Sequence, residues 1–290
     1  MLSYSEPVYR PPSEARSFIL QATLGCSYNR CTFCAMYRSK RFRVRPHDEL
    51  ESEIAHVARS APNTRRVFLA DGDAMVLSPA RLARILESLS RHFPHLQRVS
   101  AYADARSILS KSPAQLKELR ANKLRLVYIG LESGSEAVLS LLRKEASADE
   151  MTRAVVRARE AGIKASVIAL LGAGGKALSD QHARDTARVV GAMSPNYFSA
   201  LTLTLVPGTP LAAMIDRGEI EAISARDSLR ELRTIVAEAA PARPAIFRSN
   251  HASNYLPLDG VLPRDRDTIV KTIDWALSQN ALRPEWMRGL

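Results

Sequence analysis

No stretch of this sequence stays apolar for the ~20 residues that a bilayer crossing needs. The opening residues, Met1-Leu2-Ser3-Tyr4-Ser5-Glu6-Pro7, lack the basic-then-apolar layout of a secretion signal. A soluble, cytoplasmic protein with no membrane partner is expected. Cysteine is scarce: three residues, an odd number, all within nine positions. A disulfide framework spreads an even set along the chain, so none is expected here. Clustered thiols in a cytoplasmic setting read as ligands or redox groups. Internal repeats, low-complexity segments and long linkers are missing as well.

Acidic residues are outnumbered, 30 against 41 Lys and Arg, which leaves a net charge of +11. Most of the excess is Arg scattered along polar helix faces, with acids between. One local concentration stands out: Arg38, Lys40, Arg41, Arg43 and Arg45. Net charge reports an average field and not a site, so nucleic acid is a conceivable partner but not the favoured one.

What is present is a regular alternation. Short apolar runs at 17–23, 66–70, 98–102, 125–130, 164–171 and 197–205 read as strands. Helical periodicity occupies 48–59, 79–93, 113–122, 135–142 with 149–161, and 179–193. Ser78-Pro79 and Ser112-Pro113 place a cap residue before a proline at the first helical position. Gly162 stands where a helix-ending glycine belongs. Six strand–helix units in strict alternation imply an α/β fold with a parallel sheet. A partly closed (β/α)6 barrel and an open doubly wound sheet both fit. After Pro207 the pattern turns to helices at 211–217, 226–239 and 268–278, with a polar loop expected over 248–263.

The central motif is Gly25-Cys26-Ser27-Tyr28-Asn29-Arg30-Cys31-Thr32-Phe33-Cys34, directly after the first strand. Three thiolates on a short irregular loop suit an iron–sulfur cluster or zinc. Structural zinc sites close with four ligands. There is no fourth cysteine, and the nearest histidine, His47, lies thirteen residues beyond Cys34. Three ligands on a cluster would leave one metal position open to bind a substrate directly.

A cysteine loop after the first strand, with an aromatic residue before its last Cys, resembles the radical S-adenosylmethionine superfamily. That resemblance implies a partial, TIM-like (β/α)6 barrel over 17–210, preceded by an arm (1–16) and followed by a helical extension (211–290). It implies a [4Fe–4S] cluster on Cys26, Cys31 and Cys34, with S-adenosylmethionine on the open iron. Reductive cleavage would give a 5′-deoxyadenosyl radical that abstracts hydrogen from a substrate. The family's usual spacing between cysteines is three residues and then two; here it is four and then two.

Tyr128-Ile129-Gly130-Leu131-Glu132-Ser133-Gly134-Ser135 is similar to a segment of the group that includes oxygen-independent coproporphyrinogen dehydrogenase and elongator-like enzymes. By that likeness Glu132 binds the ribose hydroxyls and Lys144 the methionine carboxylate, contacts that fit a carboxylate acceptor and an ammonium donor. Otherwise Glu132 is an acid favoured at a helix start and Lys144 part of a solvated helix face. Asp71-Gly72-Asp73 occupies the place of the family's Gly-Gly-Glu and would hold the ammonium group of S-adenosylmethionine; alternatively it is a turn. Phe33 is expected near the adenine, with Ser166 and Val167 lining the same side.

Gly172-Ala173-Gly174-Gly175 lacks the Lys-Ser/Thr of a phosphate loop and reads as a strand-end turn, and Pro207-Gly208-Thr209-Pro210 as a structural closure. The tail segment around Arg248, Asn250 and His251 is dense in polar groups and is the candidate substrate contact. His251 is the one candidate proton carrier, against ordinary turn formation. Three cysteines leave none for an all-Cys auxiliary cluster, and no further domain for cobalamin is visible. A small flavodoxin- or ferredoxin-like electron donor is the expected protein partner. A non-catalytic iron–sulfur or zinc module, with or without nucleic acid, is the alternative.

Overall fold

The computed structural model describes residues 4–288. It divides into two compact units, one of Met1–Asn29, Ala35–Ile129 and Arg157–Ala165, the other of Arg30–Cys34, Gly130–Val156 and Ser166–Leu290. In the first unit strands β1 (Phe18–Gln21), β2 (Arg66–Ala70), β3 (Arg98–Tyr102) and β4 (Leu124–Glu132) lie side by side in chain order. All three pairings are parallel, in the registers Phe18↔Val67, Arg66↔Arg98 and Tyr102↔Tyr128. Helices α1 (His47–Ser60), α2 (Pro79–His92), α3 (Ala105–Leu109) and α4 (Pro113–Ala121) make the connections.

Local chemistry explains these elements. Val67, Phe68, Leu69 and Ala70 are wholly buried in succession, as in a parallel strand covered on both faces. Helix α2 starts where Ser78 Oγ accepts from Arg81 N ahead of Pro79, and it buries Leu82, Ile85, Leu86 and Leu89 on one face. Each such side chain contributes roughly 1.5–3 kcal/mol by leaving water. Helix α4 carries a full capping box between Ser112 and Gln115. Near the N-terminus, the buried Glu14 accepts from Tyr128 Oη at 2.6 Å and pairs with Arg98 at 2.7 Å, which ties the arm to β3 and β4.

Strand β4 passes into the second unit at Gly130. That unit adds β5 (Lys164–Leu171) from Ser166 onward, β6 (Tyr197–Thr202), β7 (Ala245–Arg248) and β8 (Asp259–Leu262), in chain order. Its helices are α5 (Glu136–Leu141), α6 (Ala148–Glu160) as far as Val156, α7 (Ser179–Met193), α8 (Pro210–Asp216), α9 (Ala225–Glu238) and α10 (Arg266–Gln279). β5–β6 and β6–β7 are parallel, β7–β8 antiparallel. Helix α7 packs on α9, and α9 on α10.

The α/β class and its alternating order are as the periodicity implies, and β2, β3, β5 and α7 occupy the residues their patterns mark. Three expectations need correction. The tail is not helices and loop alone: β7 and β8 extend the sheet within 245–262. Only four residues each, they have too few alternations to show; Ala245 and Phe247 are the two buried positions of β7. Helix α3 is unforeseen, a single turn started by Asp104, whose side chain accepts from Arg106 N at 2.9 Å. Strand β1 stops at Gln21, because Thr23 and Leu24 pair antiparallel with Val44 and Arg43 instead. No helix among the described residues is long and apolar enough to cross a membrane.

Candidate active site

In the first unit the chain leaves β1 through Gly25, whose φ of 75° is the left-handed conformation that glycine adopts freely. Gly25 N donates to Asp71 Oδ2 at 3.0 Å, and Gly72 N donates to Gly25 O at 3.1 Å. The end of β2 is thereby laid against the start of the cysteine loop. A Cβ on Gly72 would stand 2.8 Å from Cys26 Cβ, so only glycine fits there without a shift. Asp71 is fully buried and also accepts from Gln21 Nε2 at 3.2 Å and Lys40 Nζ at 2.8 Å. Its carboxylate fixes the turn into Cys26. Asp73 accepts from Ser27 Oγ at 3.3 Å, Asp104 N at 3.3 Å and Ser107 Oγ. Burial pushes its carboxyl up to about 6, against the pull of those hydrogen bonds.

The rest of the loop belongs to the second unit. Thr32 N donates to Leu142 O at 2.9 Å, and Thr32 Oγ1 to Leu141 O at 3.0 Å. Leu211 N in turn donates to Thr32 O at 3.0 Å. These three bonds pin the turn from Cys31 to Cys34 between the end of α5 and the start of α8. Phe33 completes the anchorage by packing against the buried cluster of Val138, Leu142, Ala173 and Leu211, as Leu170 also does.

Glu132 ends β4 with a φ of 60°, which a residue with a side chain adopts only where its surroundings hold it. Its carboxylate folds back over Gly130, where a Cβ would collide with Oε1. Lys144 Nζ lies 3.4 Å from Glu132 Oε1, both side chains nearly buried. The lysine reaches it because α5 ends in a left-handed turn at Arg143, with Lys144 N donating to Leu139 O at 2.9 Å. Glu132 and Lys144, twelve residues apart, are thus one ion pair, and the segment Leu141 to Lys144 anchors both that pair and the cysteine turn.

All three cysteines are half-buried. Among the described residues no group of three or more His, Cys, Asp and Glu side chains is arranged to hold a metal ion. The donor set nevertheless suits an iron–sulfur cluster: three soft ligands on chain without regular structure, reached from solvent, with a glycine keeping space beside the first.

The remaining candidates are placed as follows. Ser166 and Val167 lie early in β5, opposite Tyr197 and Phe198; by strand alternation Ser166 shares a face with Leu170, and Val167 points to the other. Arg248 ends β7 and stands 3.7 Å from Asp259; Asn250 is exposed. His251 Nδ1 lies 2.9 Å from Ser253 Oγ and accepts from Ser253 N at 3.1 Å, and partial burial lowers its pKa. Of the basic run, Lys40 is buried on Asp71, and Arg45 pairs with Glu53 at 2.7 Å. Arg38, Arg41 and Arg43 remain exposed.

Several residues gave no signal in the sequence. Asn254 Oδ1 accepts from Thr202 N at 2.7 Å while its Nδ2 donates to Ala200 O and Ser249 O, which staples the tail to β6. His182 of α7 sits 2.8 Å from Ser133 Oγ, immediately after Glu132. Burial holds it neutral, near pKa 4. Glu231 of α9 accepts from Gly172 N at 2.6 Å and Ser179 Oγ at 2.7 Å, and burial raises its carboxyl to about 7. These contacts hold the loops that end β4 and β5. Their partners are 49 to 59 residues apart, and sequence spacing does not reveal them.

Comparison with known proteins bears on this arrangement. Among curated proteins, none matches the chain in sequence. Among solved structures, the radical S-adenosylmethionine methyltransferase TsrM from Kitasatospora setae, with cobalamin and a [4Fe–4S] cluster bound, aligns with a TM-score of 0.58 at 20% identity, over 74% of this chain and 43% of its own. Coproporphyrinogen III oxidase (HemN) from Escherichia coli, a radical SAM enzyme, gives 0.59 at 19% identity, over 76% and 51%. Elp3 from the archaeon Methanocaldococcus infernus gives 0.52 at 11%, over 92% and 64%. The chain therefore spans less than half the length of TsrM and about half that of HemN. At such identities the likeness establishes the fold, the partial barrel expected from the sequence. The cluster and S-adenosylmethionine expected here are bound in TsrM, the latter as its aza analogue. The model of the Radical SAM superfamily matches residues 20–190, well over half of the 290, and takes in the three cysteines, Glu132 and Lys144: the chain belongs to the radical SAM superfamily.

Proposed function

We propose that this chain is a cytoplasmic radical S-adenosylmethionine enzyme. Cys26, Cys31 and Cys34 ligate a [4Fe–4S] cluster, whose open iron takes S-adenosylmethionine. The observation that carries this reading is the shared anchor: the segment that fixes the Cys31–Cys34 turn through Thr32 also sets Lys144 on Glu132. When bound and reduced, the cluster supplies the electron that splits S-adenosylmethionine into methionine and a 5′-deoxyadenosyl radical for hydrogen abstraction. Glu132 has the acceptors for two ribose hydroxyls, and Lys144 the charge for a carboxylate. Phe33, set in an apolar cluster, offers a face to the adenine. Asp71 and Asp73 are occupied by internal donors, so the ammonium of the cofactor falls to backbone carbonyls around Gly72. Residues 17–210 carry this chemistry, and 211–290, with Arg248, Asn250 and His251, shape access to the substrate.

Anaerobic reconstitution tests the reading. The chain should take up about four irons, as the cluster type requires. Cys31→Ala should lose reductive cleavage of S-adenosylmethionine altogether, and full cleavage in that variant would overturn the assignment.

A further inference from the structure

A cavity of about 270 Å³ opens within the second unit, where β5 ends at Leu171 and Gly172 and β6 at Thr202. In parallel sheets ligands collect beyond the carboxyl ends of strands. This volume is close to the ~300 Å³ at the lower end of small-molecule sites. Leu203, Ile215 and Ile223 give it aliphatic walls, and Thr204 and Tyr255 contribute hydroxyls. Arg288 is its one charged lining group, and no carboxylate lines it among the described residues.

The arginine is held in place. Its side chain is only 6% exposed, yet its carboxylate partner, Glu285, is 67% exposed and faces water. Nε donates to Ser253 O at 2.8 Å, and Nη1 to Tyr255 Oη at 2.6 Å. The guanidinium carbon stands 4.2 Å from the centre of the Tyr255 ring. Tyr255 Oη in turn donates to Glu285, and burial with that bond raises the phenol to about 12, so it stays protonated. Nη2 makes no hydrogen bond among the described residues. Arg288 thus brings to an otherwise uncharged, mainly aliphatic cavity a nearly buried, oriented guanidinium whose Nη1 is paired with Glu285 and whose Nη2 has no partner among the described residues. Arg suits planar carboxylates because its fork meets two oxygens at once.

We propose that this cavity binds the carboxylate end of a small, mainly aliphatic organic acid, with Arg288 as the anchor. As the substrate class of the radical reaction, the assignment rests on the function proposed above; as a binding site it does not.

Hexanoate and hexanamide, titrated calorimetrically into the full chain after cluster reconstitution, test it. They have similar shapes and differ in charge. Hexanoate should bind at least tenfold more tightly than the amide, and Arg288→Gln should remove that preference. Ile223→Trp, which fills the cavity and leaves the arginine in place, should abolish hexanoate binding, and it decides the matter if Arg288→Gln does not fold. Equal binding of acid and amide, unchanged binding in either folded variant, or displacement of hexanoate by S-adenosylmethionine would each overturn the proposal. Acid-selective binding without S-adenosylmethionine cleavage would instead sink the radical function and keep the site.

Discussion

Gly130 and Glu132 show how far one residue can govern the site. The carboxylate lies over Gly130 because nothing projects there, and the obstacle that a methyl would meet is the flexible end of Glu132. Gly130→Ala should therefore fold and move the carboxylate off Lys144, whereas Glu132→Ala removes it. A charge-assisted hydrogen bond contributes roughly 1.5–3 kcal/mol, so Glu132→Ala should weaken S-adenosylmethionine binding about tenfold or more, with iron content unchanged. Gly130→Ala should weaken it in the same direction. Equilibrium binding to the reconstituted protein checks this, and wild-type affinity in both variants would mean that the ribose lies elsewhere. Asp73 is a poorer probe, since its carboxyl also holds Ser27, Ser107 and Asp104. At this scale the sequence displayed the cysteines, Glu132 and Lys144, because their types and order match a known pattern. It hid His182, Glu231, Asn254 and Arg288, whose partners lie far along the chain.

Among the elements, long periodic segments were legible and short ones were not. Helix α2 shows its apolar face over several turns and its start in Ser78-Pro79, while β7 and β8 offer two buried positions or fewer each. The basic run is an element of another kind, since charge spacing says nothing of what each residue meets. Two of its five members are spent internally, Lys40 on Asp71 and Arg45 on Glu53. The exposed Arg38, Arg41 and Arg43 follow the cysteine loop closely enough to steer an acidic electron donor. Replacing these three with Ser should slow turnover with a flavodoxin- or ferredoxin-like donor at low salt and leave turnover with dithionite unchanged. The difference should fade above about 0.1 M salt, where charges are screened within ~10 Å. Equal rates with the protein donor would show a merely solvated run, and lost RNA retention at low salt would point to nucleic acid instead.

For the whole molecule, the alternation of six strand–helix units implied a parallel α/β fold but left barrel and open sheet undecided, because periodicity records which residues are buried and not how a sheet curves. Likeness to solved radical SAM enzymes supplies the partial barrel. The net charge of +11, the most conspicuous bulk property, proves a weak guide, since it sums over the whole chain and says nothing of where each charge sits: Lys40 and Arg45, in its densest basic run, face the internal carboxylates of Asp71 and Glu53. The central claim is that three thiols leave one iron of the cluster open for S-adenosylmethionine. Low-temperature electron spin resonance of the reduced protein, recorded with and without S-adenosylmethionine, tests it most directly. A [4Fe–4S] signal whose g values shift when S-adenosylmethionine is added is the predicted result; an identical spectrum in both samples would contradict the account.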